Sequence, residues 1–173
     1  MKAGKLIGYL LILCFIGSLG FTFSDHSAEN SGSKTVSIEG TYKFMYRKLP
    51  DGTEIKPPAA MGLQTFTKEY RNFNVMWVDK DGHHFSLSVV SKYKLTDKEY
   101  TETLLYSVMN DEAGIIKKGI TYDMNKTKSS PVKVEDGKIS FQFPFDPPYT
   151  TFEGNKMIAT KKGMFTDYWE KVN

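Results

Sequence analysis

The strongest constraint on this fold is the alternation of apolar and polar residues with a period of two. It runs through most of the chain from Ile38 onward, and β-branched and aromatic residues dominate the alternating segments. These segments include Tyr42–Tyr46, Phe73–Trp77, Phe85–Val89, Tyr100–Val108 and Ile139–Phe143. Successive side chains of a β-strand point to opposite faces, so the period predicts half-buried strands rather than helices.

Turn signals separate these segments at short intervals. Asp81-Gly82 and Asp136-Gly137 predict tight hairpins, because both residue types tolerate positive φ. We count eight to ten predicted strands and no long helical pattern, which is typical of an antiparallel up-and-down barrel or a sandwich. We favour the barrel, because consecutive strands then pair with one another and closure of the sheet removes its exposed edges.

The start of the chain has the features of a secretory signal, over residues 1–24. Lys2 and Lys5 lie before an apolar stretch, and small residues follow it. Cleavage of this signal would export the protein to the periplasm or the extracellular space. The alternative is an uncleaved anchor, since Leu6–Phe23 is just long enough to cross a bilayer. Such an anchor would be the only membrane contact that we expect.

A leader and one domain follow the signal. Residues 25–36 are polar and predict a flexible leader, and residues 37–173 have a length typical of a single domain. The charge is nearly balanced, with 23 Lys and Arg against 20 Asp and Glu, so there is no electrostatic basis for binding nucleic acid. The single cysteine, Cys14, excludes a disulfide framework and a thiolate metal site in the domain.

Motifs of catalysis are absent from the sequence. There is no Gly-x-Ser-x-Gly, His-Glu-x-x-His, phosphate-binding loop or dinucleotide-binding fingerprint. The arrangement left open is a pair of carboxylates meeting across the barrel, Glu102 with Asp146 or Asp167. We therefore predict that the protein is not an enzyme, and we expect no catalytic residue, no cofactor and no metal.

The segment from Asp79 to His84 combines acidic and imidazole side chains. Its letters Asp-Lys-Asp-Gly resemble part of a calcium loop, but the later oxygen ligands of such a loop are missing. His83 and His84 are adjacent, so in an extended segment they point to opposite faces and do not easily chelate one ion together. The segment predicts a solvated hairpin turn.

Short motifs near both ends of the domain carry a resemblance to a known family. The first strand opens with Gly-Thr-Tyr at Gly40–Tyr42, and the last strand contains Trp-Glu-Lys at Trp169–Lys171. On these residues the chain resembles the lipocalin-like domains of the calycin superfamily, especially the small secreted bacterial ones. The resemblance implies that the first and last strands lie side by side. Tyr42 and Lys171 stand where lipocalins have Trp and Arg, so the cation–aromatic contact that closes one end of the barrel would be weaker.

The resemblance also implies a function, which is non-catalytic binding of a small, partly apolar molecule inside the barrel. The alternative is a structural or protein-interaction module of the cell envelope, with a filled core and with its function in the loops. Barrels of this size have interiors that side chains fill or that hold one small ligand. A wide apolar cavity would favour the carrier, and large exposed apolar residues within 49–62 or 144–153 would favour the alternative.

Inward-facing side chains are the candidate ligand contacts. The more apolar strand faces carry aromatic and aliphatic residues that would line a cavity or fill a core. Glu102 shares such a face, where its carboxylate would anchor a polar group of the ligand or pair with an internal Arg or Lys. A position near the barrel mouth, or a local change of register, would instead turn it outward. The predicted ligand-binding residues are Phe44, Tyr46, Trp77, Leu87, Glu102, Tyr106 and Phe141.

Overall fold

The computed structural model of the protein describes residues 36–114, 119–121, 126–146 and 148–172. The predicted signal over 1–24 lies outside the described residues, as does the predicted leader except for its last residue. Within the described ranges every regular element is a β-strand, as the period-two pattern predicts. No helix in these ranges is long and apolar enough to span a membrane.

Thirteen strands are described in these ranges, and paired strands are antiparallel throughout. They are β1 (Gly40–Lys48), β2 (Glu54–Ile55), β3 (Ala60–Phe66), β4 (Tyr70–Val78), β5 (His84–Leu95), β6 (Glu99–Asp111), β7 (Gly119–Thr121), β8 (Thr127–Pro131), β9 (Lys133–Glu135), β10 (Lys138–Gln142), β11 (Tyr149–Glu153), β12 (Lys156–Lys161) and β13 (Phe165–Val172).

Consecutive strands pair in an up-and-down order that runs β6–β5–β4–β3–β1 on one side and β13–β12–β11–β10–β9 on the other. The predicted hairpins supply several of the connections. Gly82 has a φ of 85°, and the turn between β9 and β10 places Asp136 and Gly137 at φ values of 49° and 76°. Asp, Asn and Gly are the residues that adopt this left-handed region at low cost, so the turn residues fix these hairpins.

The first and last strands lie side by side, as the resemblance implies. Tyr42 pairs with Lys171 and Phe44 pairs with Trp169 in the ladder between β1 and β13. The Lys171 ammonium lies 5.9 Å from the centroid of the Tyr42 ring, within the range of a cation–aromatic contact. The stem of Lys171 crosses Gly40 so closely that a Cβ there would clash with it. A glycine at this position therefore lets the lysine reach the ring.

One bent segment completes a nearly closed barrel on the opposite side. β8 pairs with β6 through Thr127–Pro131, and β9 pairs with β10 through Lys133–Glu135. Only Val132 separates the two strands, and its backbone N–H donates to the carbonyl of Lys98 over 2.8 Å. The Ser130 hydroxyl also donates to the backbone carbonyl of Gln142 across this seam. Because one segment pairs with both edges, neither β6 nor β10 is left as a long open edge.

A β-bulge in β1 reverses the faces that the alternation predicts for its second half. The register with β13 shifts between Phe44 and Tyr46, so Met45 is the extra residue. Phe44 points inward as predicted, but Tyr46 stacks on Tyr168 at a centroid distance of 4.4 Å, on the outer face. Arg47 points inward in its place. The prediction that Tyr46 faces the interior is wrong, because one inserted residue moves every following side chain to the other face.

A second bulge has the same effect in β6. Val90 of β5 pairs with Tyr106, whereas the next residue of β5 pairs with Leu104, so Leu105 is inserted. Glu102 and Leu104 precede the bulge and are buried, while Tyr106 follows it and is 40% exposed. The prediction of an inward Tyr106 is therefore wrong for the same physical reason.

A packed aromatic cluster occupies part of the barrel interior. Its rings meet edge-on or stacked, with centroids 4.4–6.1 Å apart, which is the range of favourable aromatic pairs. Its members are Tyr42, Phe66, Tyr93, Tyr100, Phe141, Phe143 and Phe152. This cluster leaves no room for a ligand among its rings, so the open space of the interior lies beside it.

Candidate functional site

A cavity of about 260 Å³ lies in the barrel interior beside the aromatic cluster. Both tryptophans of the chain line it. Its apolar wall is formed by Phe73, Val75, Trp77, Leu87, Phe143, Pro148, Met157, Ala159, Phe165 and Trp169, and its polar groups are Arg47, Gln64, Asp146, Thr150, Lys161 and Asp167. An apolar cavity of about 150 Å³ holds benzene, so this one has room for a molecule of one or two rings.

One wall of the cavity is a row of side chains across four neighbouring strands. Thr150 of β11 pairs with Ala159 of β12, Ala159 pairs with Asp167 of β13, and Asp167 pairs with Arg47 of β1. Partners in a ladder share a face, and all four residues line the cavity. Ala159 lies in the middle of the row, where its small side chain leaves open space.

Arg47 and Asp167 form a bidentate ion pair in this wall. The Arg47 Nε and Nη2 groups donate to the two carboxylate oxygens of Asp167 over 2.6 and 2.8 Å. The guanidinium also lies 3.7 Å from the centroid of the Phe165 ring. Burial raises the pKa of Asp167 above its usual value, and the hydrogen bonds and charge of Arg47 oppose that rise. The pair presents two charges that already neutralise each other.

A second cation, Arg71, lies fully buried at the boundary between the cavity and the aromatic cluster. One guanidinium nitrogen donates to Glu102 over 3.1 Å, and the other donates to Gln64 and Asp146 over 3.3 Å each. The guanidinium carbon lies 3.7 Å from the centroid of the Phe143 ring. Burial alone would lower the pKa of Arg71, but the negative charges of Glu102 and Asp146 raise it, so the guanidinium stays charged.

Glu102 is completely buried, as its strand face predicts, and its partner is an internal arginine. Besides the Arg71 contact, its Oε1 accepts a hydrogen bond from the Ser91 hydroxyl. Asp146 shares Arg71 but keeps 30% of its side chain exposed, and burial raises its pKa while Arg71 opposes the rise. Glu102 and Asp146 therefore do meet across the barrel, but they do so on one guanidinium, which makes them ion-pair partners rather than a free acid and base.

Two buried polar groups in the cavity wall have no hydrogen-bond partner among the described residues. The Thr150 hydroxyl is fully buried, and the indole nitrogen of Trp169 belongs to a side chain that is 4% exposed. The Trp169 ring fits there because it lies against Gly62, where a Cβ would come within 3.1 Å of it. A buried donor without a partner costs about 1–3 kcal/mol, so both groups are suited to a ligand that accepts hydrogen bonds.

The predicted ligand-binding residues separate into three environments. Trp77 and Leu87 line the cavity, as predicted. Phe44 packs edge-on against Trp169 behind the wall, and Phe141 is fully enclosed in the aromatic cluster, so both belong to the packed core. Glu102 reaches the site only through Arg71. The predicted convergence of Phe44, Trp77, Tyr106 and Phe141 on one space is therefore wrong, as is the placement of Tyr46 and Tyr106 inside.

Sequence analysis missed several polar groups of the site. Arg71 lies two residues before Phe73 on the same face of β4, so extension of the alternation by one step would have found it. Asp167 is two residues before Trp169 and was accessible in the same way. Arg47 carried no such signal, because only the bulge at Met45 turns it inward.

The acidic turn between β4 and β5 is stabilised by its own hydrogen bonds. One Asp79 carboxylate oxygen accepts from the backbone N–H groups of Asp81 and His83, over 2.8 and 2.9 Å. The other lies 3.1 Å from the His83 ring nitrogen Nδ1. The ligand atoms of these three residues lie within 4.8 Å of one another, but the side chains are exposed or half-buried and satisfy one another. The segment is a solvated hairpin turn in its geometry.

A shallow groove of about 700 Å³ lies on the outer surface of β1 and β3–β5. Met61 and Leu63 border it and are 41% and 48% exposed. Ser86 and Ser88 form its floor with short side chains, and Lys43 lies at its edge. It is separate from the interior cavity, because successive residues of these strands face opposite sides of the sheet.

Comparison of the chain with protein-family models, with curated proteins and with solved structures finds no match in any of the three.

Proposed function

We propose that the protein is a non-catalytic carrier that binds a small, partly apolar molecule in the interior cavity. The observation that carries the proposal is a cavity of about 260 Å³ walled by both tryptophans, by other apolar side chains and by a few polar groups. Such a composition is typical of small-molecule sites, where apolar contacts supply affinity and a few polar groups fix orientation. The predicted signal and the contact between Tyr42 and Lys171 support an exported, lipocalin-like carrier.

The cavity favours this function over the alternative of an interaction module with a filled core. A filled core would continue the aromatic packing of Phe66 and Phe141 through the whole barrel, whereas the packing stops at Phe143 and Arg71. The outer groove beside Met61 and Leu63 is the observation that favours the alternative. An experiment that separates the two functions must therefore report on the interior and the outer face independently.

Tryptophan fluorescence provides such a test, because both tryptophans line the cavity. Indane, a neutral bicyclic hydrocarbon, fits the space and allows selective excitation of tryptophan. We expect a saturable change in emission as indane replaces solvent around Trp77 and Trp169. An unchanged emission at saturating indane would contradict the carrier function.

A cavity-filling variant shows where the probe binds. Ala159→Leu places three more carbon atoms in the middle of the wall, so we expect indane affinity to fall at least about tenfold. Thr160→Leu is the matched control, because Thr160 is the next residue of β12 and faces outward. Equal loss in both variants, or no loss in Ala159→Leu while its thermal unfolding remains cooperative, would count against binding in the cavity.

A further inference from the structure

We propose that the cavity selects a neutral ligand that carries a hydrogen-bond acceptor, such as a carbonyl oxygen, rather than a carboxylate or an amine. The inference rests on the proposed carrier function and names the chemical class of its ligand. The acceptor would be bound by the indole N–H of Trp169 and the hydroxyl of Thr150.

The built-in ion pairs argue against an anionic ligand. Arg47 is bound by both oxygens of Asp167, and Arg71 donates to Glu102 and to Asp146. A ligand carboxylate would have to displace one of these carboxylates or lie beside it in a partly desolvated space. Two close carboxylates disfavour each other's charge, so neither cation is available to an anion at low cost.

A cationic ligand meets the opposite obstacle. Arg47 and Lys161 line the cavity, and the acidic groups beside them are the partners of resident cations. An ammonium group would therefore lose its hydration without gaining an unpaired carboxylate among the groups that line the space. The electrostatics of the wall are balanced for a ligand without net charge.

The unpaired polar groups specify what a neutral ligand must carry. Trp169 presents a donor with no acceptor capacity, and Thr150 presents a hydroxyl that can donate or accept. Both are more than nine-tenths buried, both line the cavity, and neither has a partner within the described part of the chain. An acceptor oxygen on the ligand satisfies these donors, whereas a pure hydrocarbon leaves them unsatisfied.

Four probes of one ring system test the inference. They are 1-indanone, indane, indane-2-carboxylate and protonated 1-aminoindane, titrated into the full-length protein and followed by calorimetry. We expect 1-indanone to bind about five to ten times more tightly than indane, the size of effect that one neutral hydrogen bond produces. We expect the carboxylate and the ammonium to bind more weakly than either neutral probe.

Variants show whether the two named groups cause the selectivity. Thr150→Val removes the hydroxyl at nearly constant shape and Trp169→Phe removes the indole donor, so each should reduce the preference for 1-indanone over indane. Thr151→Val is the matched control, because Thr151 is the next residue of β11 and bonds to Ser140 on the other face. In the unmodified protein, the indole N–H signal of Trp169 should move downfield with 1-indanone and not with indane, which tests the contact even if Trp169→Phe fails to fold.

The outcomes separate this inference from the function on which it rests. Equal affinity for indane and 1-indanone, tightest binding of either charged probe, or an unreduced preference in folded Thr150→Val and Trp169→Phe would overturn the acceptor rule and leave the carrier function standing. Failure of all four probes to bind would overturn both.

Discussion

Arg71 shows how a single residue organises the boundary between packed core and open cavity. Its guanidinium contacts Glu102, Gln64 and Asp146 and lies over the Phe143 ring, so four strands or loops converge on one buried charge. A buried ion pair contributes little net stability compared with well-packed apolar residues, but loss of one partner leaves an uncompensated charge. Its effect on the fold is therefore visible when it is removed alone.

We predict that Arg71→Met destabilises the protein by about 3–5 kcal/mol, because Glu102 is then left charged and without its cation in a fully buried site. Urea unfolding measures this loss. In the double variant Arg71→Met with Glu102→Gln, part of the stability should return, since the buried charge is gone. A single variant as stable as the wild type would show that the Arg71 pairs are not formed as described.

The pKa shift of Asp146 gives a prediction of pH dependence at the same scale. Burial raises the folded pKa of Asp146 above 3.8, against the charges of Arg71 and Lys161. The folded state then holds this proton more tightly than the unfolded state does, so its contribution to stability is present below about pH 4 and is lost as pH rises through the folded pKa. The stability of the wild type relative to Asp146→Asn should therefore fall with rising pH.

The control for this measurement is Asp51→Asn. Hydrogen bonds from Thr53 lower the pKa of the exposed Asp51, so the sign reverses and the wild type should gain stability relative to this variant as pH rises. Thermal unfolding of the three proteins from acid to neutral pH checks both slopes. Parallel slopes for Asp146→Asn and Asp51→Asn would contradict the assignment.

At the scale of the strands, the sequence pattern predicts position well until a bulge intervenes. The alternation places Trp77, Leu87 and Glu102 on the inner face correctly, because their strands are regular up to those residues. It fails for Tyr46 and Tyr106, since each follows an inserted residue that a period-two pattern does not reveal. A bulge depends on pairing with the neighbouring strand, so one strand read alone gives no signal for it.

The ladder between β1 and β13 gives a prediction at this scale. Deletion of residues 165–173 removes β13, exposes the edges of β1 and β12 and uncovers Phe44, so we expect cooperative unfolding to disappear. Lys171→Met keeps the ladder and removes only the contact with Tyr42, which should cost no more than about 1 kcal/mol. Calorimetric melting distinguishes them, and a truncated protein that melts as sharply and as hot as the full chain would refute this closure.

At the scale of the whole molecule, barrel class follows from the sequence but the cavity does not. Many short alternating strands with local turns leave few other ways to remove sheet edges, which is why the up-and-down order is predictable. Whether a barrel is filled depends on how side chains from distant strands share one volume. Here Ala159 is small where the facing rows are large, and two ion pairs occupy the border of the aromatic cluster.

The most direct test of the carrier function is a two-dimensional nuclear magnetic resonance titration of the isotope-labelled protein with 1-indanone. We predict saturable shifts of the Trp77 and Trp169 indole signals and of the Ala159 methyl group, with the signals of Met61 and Leu63 unchanged. Shifts confined to Met61 and Leu63 would place binding in the outer groove, and the absence of any saturable shift would mean that the interior holds no ligand of this class. Either result would contradict the carrier function.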